Sequence, residues 1–216
     1  MEKIINVISL TGWAYLLLGT GMRLFVDRDS YMQSDISCDL WVLRAVQIFQ
    51  SLEIVLILLG KSKGSVVGSF FQILGRNIVT LIFMSDESNR LRFAMVVIIW
   101  SMADVNRYLY YLLKSNPITG FLRYNSFLLL YPVGVFGEML IINDFIKIHS
   151  ETLTDAYVYA IRGIQLSIIL GMLFLYKYML SSRKKYLATL NKAPEGPEGE
   201  SKRVLSKSPR KEAKRD

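Results

Sequence analysis

The chain of 216 residues has a single cysteine, Cys38, and a single histidine, His149. One cysteine cannot pair within the chain, which excludes a disulfide-stapled secreted domain. With so few thiol and imidazole groups, the sequence offers no metal-binding cluster of those ligands. Charged residues make up only 20% of the chain, against about 25% in an average soluble domain, while hydrophobic residues reach 52%. These shortages argue against a soluble enzyme of ordinary composition.

Basic charge is scarce in most of the chain and concentrated at its C-terminus. Residues 181–216 hold 11 of the 26 Lys and Arg residues and five acids, and so carry +6 of the formal net charge of +8. Their composition cannot bury a core, and it predicts a cytosolic, disordered basic tail after a membrane domain of residues 1–180. Because the remainder is nearly neutral and has no basic face to follow a phosphate backbone, we do not expect a nucleic-acid partner.

Six apolar stretches have about the length that a helix needs to cross a bilayer, roughly 20 residues. They cover residues 5–22, 40–59, 65–84, 93–113, 127–146 and 157–179. The sequence therefore predicts an all-α, polytopic membrane protein with a bundle of about six transmembrane helices. If the stretches alternate in direction, 16 Lys and Arg residues lie on the side of the termini and five on the other. The positive-inside rule then puts both termini in the cytosol.

Several ionisable residues lie inside these stretches, where a central charge costs about 2.5–3.5 kcal/mol on insertion scales. Asp104 and Arg107 are three residues apart, so we predict that they pair on one helix face. Arg44 and Glu53 face different ways, so each is expected to reach the interface or to pair with another helix. Buried charges also line transport pathways, but the two halves of the chain contain no matching broken helices that would favour a transporter.

The fifth stretch places a tyrosine and a glutamate on one helix face. Tyr131 and Glu138 are seven residues apart. They therefore differ by about 20° around the helix axis and lie about 10 Å apart along it. Pro132 should kink or locally open the helix, and Gly134 and Gly137 leave room for another helix or a substrate chain. A phenol and a carboxyl so arranged can act as general acid and general base.

Residues 123–138, with Tyr-Pro-x-Gly-x-x-x-Glu at their centre, resemble the very-long-chain (3R)-3-hydroxyacyl-CoA dehydratase family, also described as protein-tyrosine-phosphatase-like. Residues 100–108 are similar to a second block of that family, and residues 52–54 with Arg76 are similar to a third. The resemblance implies a six-helix enzyme of the endoplasmic reticulum membrane. Its expected reaction is the third step of fatty-acid elongation, the removal of water from (3R)-3-hydroxyacyl-CoA to give the trans-2-enoyl-CoA.

The catalytic residues of that family fall on Tyr131 and Glu138. The reaction requires no redox cofactor and no metal, so none is expected here. We hypothesise that the pair divides the proton transfers. In the simplest assignment, Glu138 takes the proton from C2 and Tyr131 assists departure of the C3 hydroxyl.

Candidates for substrate binding fall into two groups. Arg107, Tyr108 and Asn125 are candidates for stabilising the thioester oxygen. Lys114 and Arg123 precede the fifth stretch and are candidates for binding the CoA phosphates at the cytosolic rim, with the acyl chain between the helices. Besides this substrate and membrane lipid, the resemblance implies an elongase, a 3-ketoacyl-CoA reductase and an enoyl-CoA reductase as partners.

Two rival functions rest on one or two residues each. Asp104 stands where the family pattern has a glutamate, which keeps open a catalytically inactive, dehydratase-like scaffold of the elongation complex. Cys38 and Arg44 have the Cys-x5-Arg spacing of a cysteine phosphatase. A phosphate-binding loop needs small residues whose backbone N–H groups cup the anion. This segment is bulky and begins with the repelling Asp39, so we do not expect phosphatase activity.

Overall fold

The structure, a computed structural model, describes residues 2–60, 66–85, 87–113 and 116–191. Within these ranges all regular secondary structure is helical, which confirms the predicted all-α class. The helices are α1 (Glu2–Val26), α2 (Arg28–Gln33), α3 (Ser37–Leu58), α4 (Val66–Ile78) continued by a π-helix (Val79–Phe83), α5 (Arg90–Leu112), α6 (Pro117–Asn125), α7 (Phe127–Ile148) and α8 (Asp155–Asn191).

Five of the six predicted apolar stretches coincide with helices of 22 or more residues, and the stretch 65–84 coincides with α4 and the π-helix that continues it. The helices also differ in how apolar they are. Among the described residues, four helices are long and apolar enough to cross a membrane: α1, α3, α7 and α8. Residues 70–83 form a shorter apolar helix. Helix α5, with 23 residues, is about 34 Å long, but polar residues such as Asp104 and Arg107 lower its hydropathy. The chain is therefore a multi-pass membrane protein, and the number of crossings stays a prediction.

Helix α5 forms the centre of the bundle, since it packs against α1 on one side and α7 on the other. The buried side chains of its first half are apolar, from Phe93 to Trp100. Those of its second half include Asp104, Arg107 and Tyr108. One end of the bundle is therefore held by apolar packing and the other by buried polar contacts.

The direction of each neighbour of α7 follows from paired contacts. Helix α8 is antiparallel to α7, because Tyr176 contacts the Leu128 carbonyl near one end and Gln165 contacts the Met139 carbonyl near the other. Helix α4 runs parallel to α7, with Gln72 beside Tyr131. The continuation of α4 then brings the Phe83 ring to 5.3 Å from that of Phe145.

Helix α7 passes through Pro132 without a break. A proline at this position has no N–H to bond the carbonyl of Leu128, four residues earlier. The hydroxyl of Tyr176 donates to that carbonyl oxygen at 3.5 Å instead. Backbone groups that a proline frees inside a membrane are commonly satisfied by a neighbouring helix in this way.

The predicted division at residue 181 falls inside α8, which continues to Asn191. Residues 192–216, the greater part of the predicted tail, lie outside the described residues. The same holds for Lys114, one of the candidate phosphate ligands. The division into a membrane domain and a disordered tail therefore stays a prediction.

Gly137 marks the closest approach of α7 to α5. A Cβ atom at this position would lie 2.7 Å from Val96 Cγ2 and 2.8 Å from Met95 Cε. Val96 is fully buried and its side chain is stiff at χ1, so it cannot move aside. We expect Gly137→Val to lower the free energy of unfolding by about 1–3 kcal/mol, the usual cost of overpacking. Thermal unfolding in detergent measures this change.

Gly163→Val on α8 is the matched control, because a Cβ atom there meets nothing within 4 Å. Equal melting temperatures for the two variants would contradict the close α5–α7 contact.

Candidate functional site

A cavity of about 400 Å³ lies between α4, α5, α7 and α8. Its volume is within the range of small-molecule sites, about 300–1,000 Å³. Most of its lining is apolar, contributed by residues such as Ile99, Leu130 and Ile168. The polar side chains in the wall are Gln72, Arg76, Trp100, Tyr131, Glu138 and Ser167. An apolar cavity with a few convergent polar groups is typical of a binding or catalytic site.

Both predicted catalytic residues line this cavity. Glu138 is buried, and its Oε1 accepts a hydrogen bond from Trp100 Nε1 at 3.0 Å. Tyr131 is half-buried, and its hydroxyl donates to Gln72 Oε1 at 3.2 Å. The carboxyl group of Glu138 and the hydroxyl of Tyr131 are therefore each oriented by a side chain from another helix.

Helix α4 contributes two polar residues that the sequence did not assign to the site. Gln72 and Arg76 are four residues apart, so they share one face of α4, and both line the cavity. Two polar residues at helical spacing in an apolar stretch are the signal that could have identified them. Trp100 belongs to a block that resembles the family, but no sequence pattern around it indicates that its N–H bonds Glu138.

Arg76 belongs to a buried network of charged side chains. Its guanidinium forms an ion pair with Asp104. Arg107 Nη2 lies 3.0 Å from Asp104 Oδ1 and 3.2 Å from Glu53 Oε2. This confirms the predicted Asp104–Arg107 pair and the expectation that Glu53 pairs with another helix. Two carboxylates thus face two guanidinium groups, which is the condition for tolerating charges away from water.

Arg107 and Tyr108, both predicted to bind substrate, belong to this network. The Tyr108 hydroxyl accepts from Arg107 Nη2 at 2.8 Å and donates to Glu53 Oε2 at 3.3 Å. Neither residue is among those that line the cavity. The structure therefore does not bring them to Tyr131 and Glu138. Arg76 is the member of the network that reaches the cavity wall, and its guanidinium lies 5.1 Å from the centre of the Trp100 ring.

Arg123 and Asn125 lie in a separate group at the end of the bundle where α7 begins. Arg123 Nη2 donates to the Tyr111 hydroxyl at 3.2 Å, and its guanidinium lies over that ring at 4.7 Å. Asn125 Oδ1 accepts from Arg183 Nε at 3.0 Å. We call this group the α6 cluster; it consists of Tyr110, Tyr111, Arg123, Tyr124, Asn125, Arg183 and Tyr186. Neither predicted residue lines the cavity.

Stacked aromatic rings complete the α6 cluster. The rings of Tyr124 and Tyr186 are parallel, with centroids 4.3 Å apart. Burial raises the pKa of the Tyr124 hydroxyl, so this side chain stays neutral near pH 7. The cluster therefore combines cationic groups with flat, neutral surfaces.

The segment with phosphatase-like spacing has the wrong backbone for a phosphate loop. Cys38 and Arg44 both lie in helix α3, and Cys38 is exposed. Arg44 Nη2 donates to the Met84 carbonyl at 2.9 Å. In a helix the backbone N–H groups donate to carbonyls of the same helix. Most of this segment therefore has no free N–H groups that could bind an anion.

Comparison with known proteins gives one family and several distant relatives. The sequence model described as "Protein tyrosine phosphatase-like protein, PTPLA" matches residues 47–189. The very-long-chain (3R)-3-hydroxyacyl-CoA dehydratase of Gallus gallus is 24% identical over 84% of this chain and 56% of its own length. The probable dehydratase of Schizosaccharomyces pombe is 26% identical over 85% of this chain and 90% of its own length. Dehydratase 2 of Mus musculus is 28% identical, with coverages of 86% and 80%.

These matches differ in how much of the relative they cover. The chain spans 56% of the Gallus gallus protein and 42% of dehydratase 3 of Bos taurus, about half of each. No solved structure matches the chain significantly.

Asp104 is the carboxylate that faces both Arg76 and Arg107, and it is fully buried. We expect Asp104→Asn to destabilise the protein by about 3–5 kcal/mol, because it leaves positive charge uncompensated inside the bundle. Denaturation of the purified protein in detergent measures the loss. Asp155→Asn, at an exposed position in the first turn of α8, is the control and should cost less than about 1 kcal/mol. An unchanged stability of Asp104→Asn would show that the guanidinium groups do not depend on this carboxylate.

Proposed function

Because the chain belongs to the protein tyrosine phosphatase-like (PTPLA) family, we propose that it is a very-long-chain (3R)-3-hydroxyacyl-CoA dehydratase. The observation that carries the proposal is the position of Tyr131 and Glu138 on the wall of one largely apolar cavity. Relatives with this activity in their names match most of the chain, and the matched family segment includes both residues.

The proposed reaction breaks two bonds of the substrate and forms one. Glu138, as a carboxylate, takes the proton from C2, and the electron pair of that C–H bond forms the C2=C3 double bond. The C3–O bond breaks, and Tyr131 gives its proton to the departing hydroxyl, which leaves as water. Return of the proton from Glu138 to Tyr131 restores the enzyme. Positioned acids and bases of this kind contribute roughly 10²- to 10⁴-fold each to a rate.

The neighbours of the pair support these roles. The Trp100 N–H holds one oxygen of Glu138, which leaves the other oxygen available to the C2 proton. Gln72 holds the Tyr131 hydroxyl in a defined direction. Arg76 supplies positive charge in the same wall, where the thioester oxygen carries part of the C2 electron pair until the C3–O bond breaks. In this proposal Arg76 stabilises the thioester oxygen, a role that the sequence suggests for Arg107, Tyr108 or Asn125.

The CoA part of the substrate fits the α6 cluster. Tyr131 lies near the start of α7, at the end of the bundle where this cluster is located. Neither α6 nor residues 176–191 contain an Asp or a Glu, whereas Arg123 and Arg183 are both in the cluster. Phosphate groups are recognised by guanidinium groups, and a flat base can stack on tyrosine rings. Arg123 therefore keeps its predicted role in binding the CoA phosphates. Asn125, which was predicted to stabilise the thioester oxygen, is assigned to the nucleotide part instead.

The membrane arrangement is part of the proposal. Helices α4 and α5 cross the bilayer with the four long apolar helices, because the polar side chains that lower the hydropathy of α5 face the interior of the bundle. The protein lies in the endoplasmic reticulum membrane with both termini in the cytosol. It exchanges its intermediates with an elongase, a 3-ketoacyl-CoA reductase and an enoyl-CoA reductase.

The alternative of an inactive scaffold depended on Asp104. The shorter side chain still contacts both Arg76 and Arg107. The departure from the family pattern therefore leaves the ion pairs intact, and no contact in the described residues favours the scaffold.

Removing either reactive group should abolish most of the turnover of a long-chain (3R)-3-hydroxyacyl-CoA. We expect Tyr131→Phe and Glu138→Gln each to lower kcat by about 10²- to 10⁴-fold without a matching rise in KM. Enoyl-CoA formation by detergent-purified protein measures this. The controls are Tyr159→Phe and Glu151→Gln, at exposed positions outside the cavity. Normal turnover in a catalytic variant would remove that residue from the mechanism, and a folded but inactive wild type would favour the scaffold.

Arg123 should affect substrate binding rather than the chemical step. We expect Arg123→Gln to raise KM about tenfold, which corresponds to one lost charge-assisted contact of about 1.4 kcal/mol, with kcat unchanged. The rise should shrink at high salt, because screening weakens the contact in the wild type as well. Lys147→Gln, at the opposite end of α7, is the control. A fall in kcat at constant KM would contradict the binding role.

A further inference from the structure

The exposed residues of the cavity wall lie on α4 and α8. The residues that α5 and α7 contribute to its wall are buried or half-buried. On α4, by contrast, the wall residues Phe71 and Leu74 are 45% and 43% exposed. On α8 the wall residue Ser167 is exposed as well. The cavity therefore reaches the outer surface of the bundle through the gap between these two helices.

One glycine on each of the two helices lies beside this gap. The rings of Phe71 on α4 and Phe174 on α8 touch, with centroids 5.7 Å apart. Gly75 lies one turn after Phe71, and Gly171 lies one turn before Phe174, so in antiparallel helices they are at the same level. Both glycines line the cavity, and a Cβ atom at either position would meet nothing within 4 Å. The space between them is unfilled.

The surroundings of the gap are those of a lipid-facing surface. Residues 66–75 and 163–176 contain no charged residue. Large apolar side chains are exposed beside the opening, including Leu170 at 58% and Phe174 at 52%. Within a bilayer such a surface contacts acyl chains, which are as apolar as leucine. A hydrocarbon chain can therefore pass from the cavity to the lipid without a change of environment.

We infer that the gap at Gly75 and Gly171 is the exit through which the acyl chain of the substrate leaves the cavity and enters the lipid. This inference rests on the proposed function. With C2 and C3 held at Tyr131 and Glu138, the chain passes between the two glycines and extends along the outer faces of α4 and α8. The length of the chain is then not limited by a closed floor, and the two glycines act as specificity-determining residues because they keep the exit wide.

Filling the exit should discriminate between long and short substrates. The variants are Gly75→Leu and Gly171→Leu, and the substrates are (3R)-3-hydroxyoctadecanoyl-CoA and (3R)-3-hydroxybutyryl-CoA. We expect kcat/KM for the long substrate to fall about tenfold or more, while that for the short one changes less than about twofold. Gly163→Leu on α8 is the matched control, because its Cβ also meets open space but the residue does not line the cavity.

Retained turnover of the short substrate shows that a variant is folded. An equal fall in kcat/KM for both substrates in a folded variant, or no fall for the long substrate, would contradict the proposed exit.

A second measurement does not depend on turnover: the wild type is photolabelled with an octadecanoyl-CoA that carries a diazirine at the end of its chain. Labelling of Phe71, Leu74, Leu170 or Phe174 supports the exit, and labelling confined to other helices overturns it. If the wild type is labelled at these residues but turns over neither substrate, the dehydratase proposal is refuted and the exit is not contradicted.

Discussion

The carboxylate of Asp104 links α4 to α5 by an ion pair and α3 to α5 by a hydrogen bond, both inside the bundle. It contacts Arg76 on α4 and Arg107 on its own helix, and Arg107 in turn contacts Glu53 on α3. Gln50 on α3 adds a hydrogen bond to Asp104 Oδ1 at 3.3 Å. A buried ion pair tolerates little displacement, because a buried charge that moves away from its partner loses the attraction that offsets its desolvation. The network therefore constrains how far α4 can rotate or slide against α5.

The rotation of α4 decides what faces the cavity. With Arg76 directed to Asp104, the same face of α4 presents Gln72 and Gly75 to α7 and α8. Trp100 connects the network to the reactive pair, since its ring lies against the Arg76 guanidinium and its N–H bonds Glu138. Beyond Arg76 the backbone changes to a π-helix, a form that is frequent at functional sites. The polar network and the apolar cavity thus share one wall.

A membrane enzyme that acts on an acyl-CoA must hold a highly charged nucleotide and a long hydrocarbon at the same time. In the arrangement proposed here, the two parts leave the reactive pair in different directions. The nucleotide lies at the end of the bundle with the α6 cluster, where guanidinium groups and tyrosine rings are combined. The hydrocarbon leaves sideways between α4 and α8. Tyr131 and Glu138 lie where these two paths meet.

The relations that could be predicted from the sequence lie within single helices. The apolar stretches predict the long helices, the seven-residue spacing puts Tyr131 and Glu138 on one face, and the three-residue spacing pairs Asp104 with Arg107. Helical periodicity settles these relations within a single element. The packing of the helices was needed to establish that Trp100 bonds Glu138, that Tyr131 bonds Gln72, and that Arg107 and Tyr108 do not line the cavity. Those facts depend on how helices far apart in the chain are rotated against each other, and side-chain packing and buried charge set that rotation rather than any local pattern.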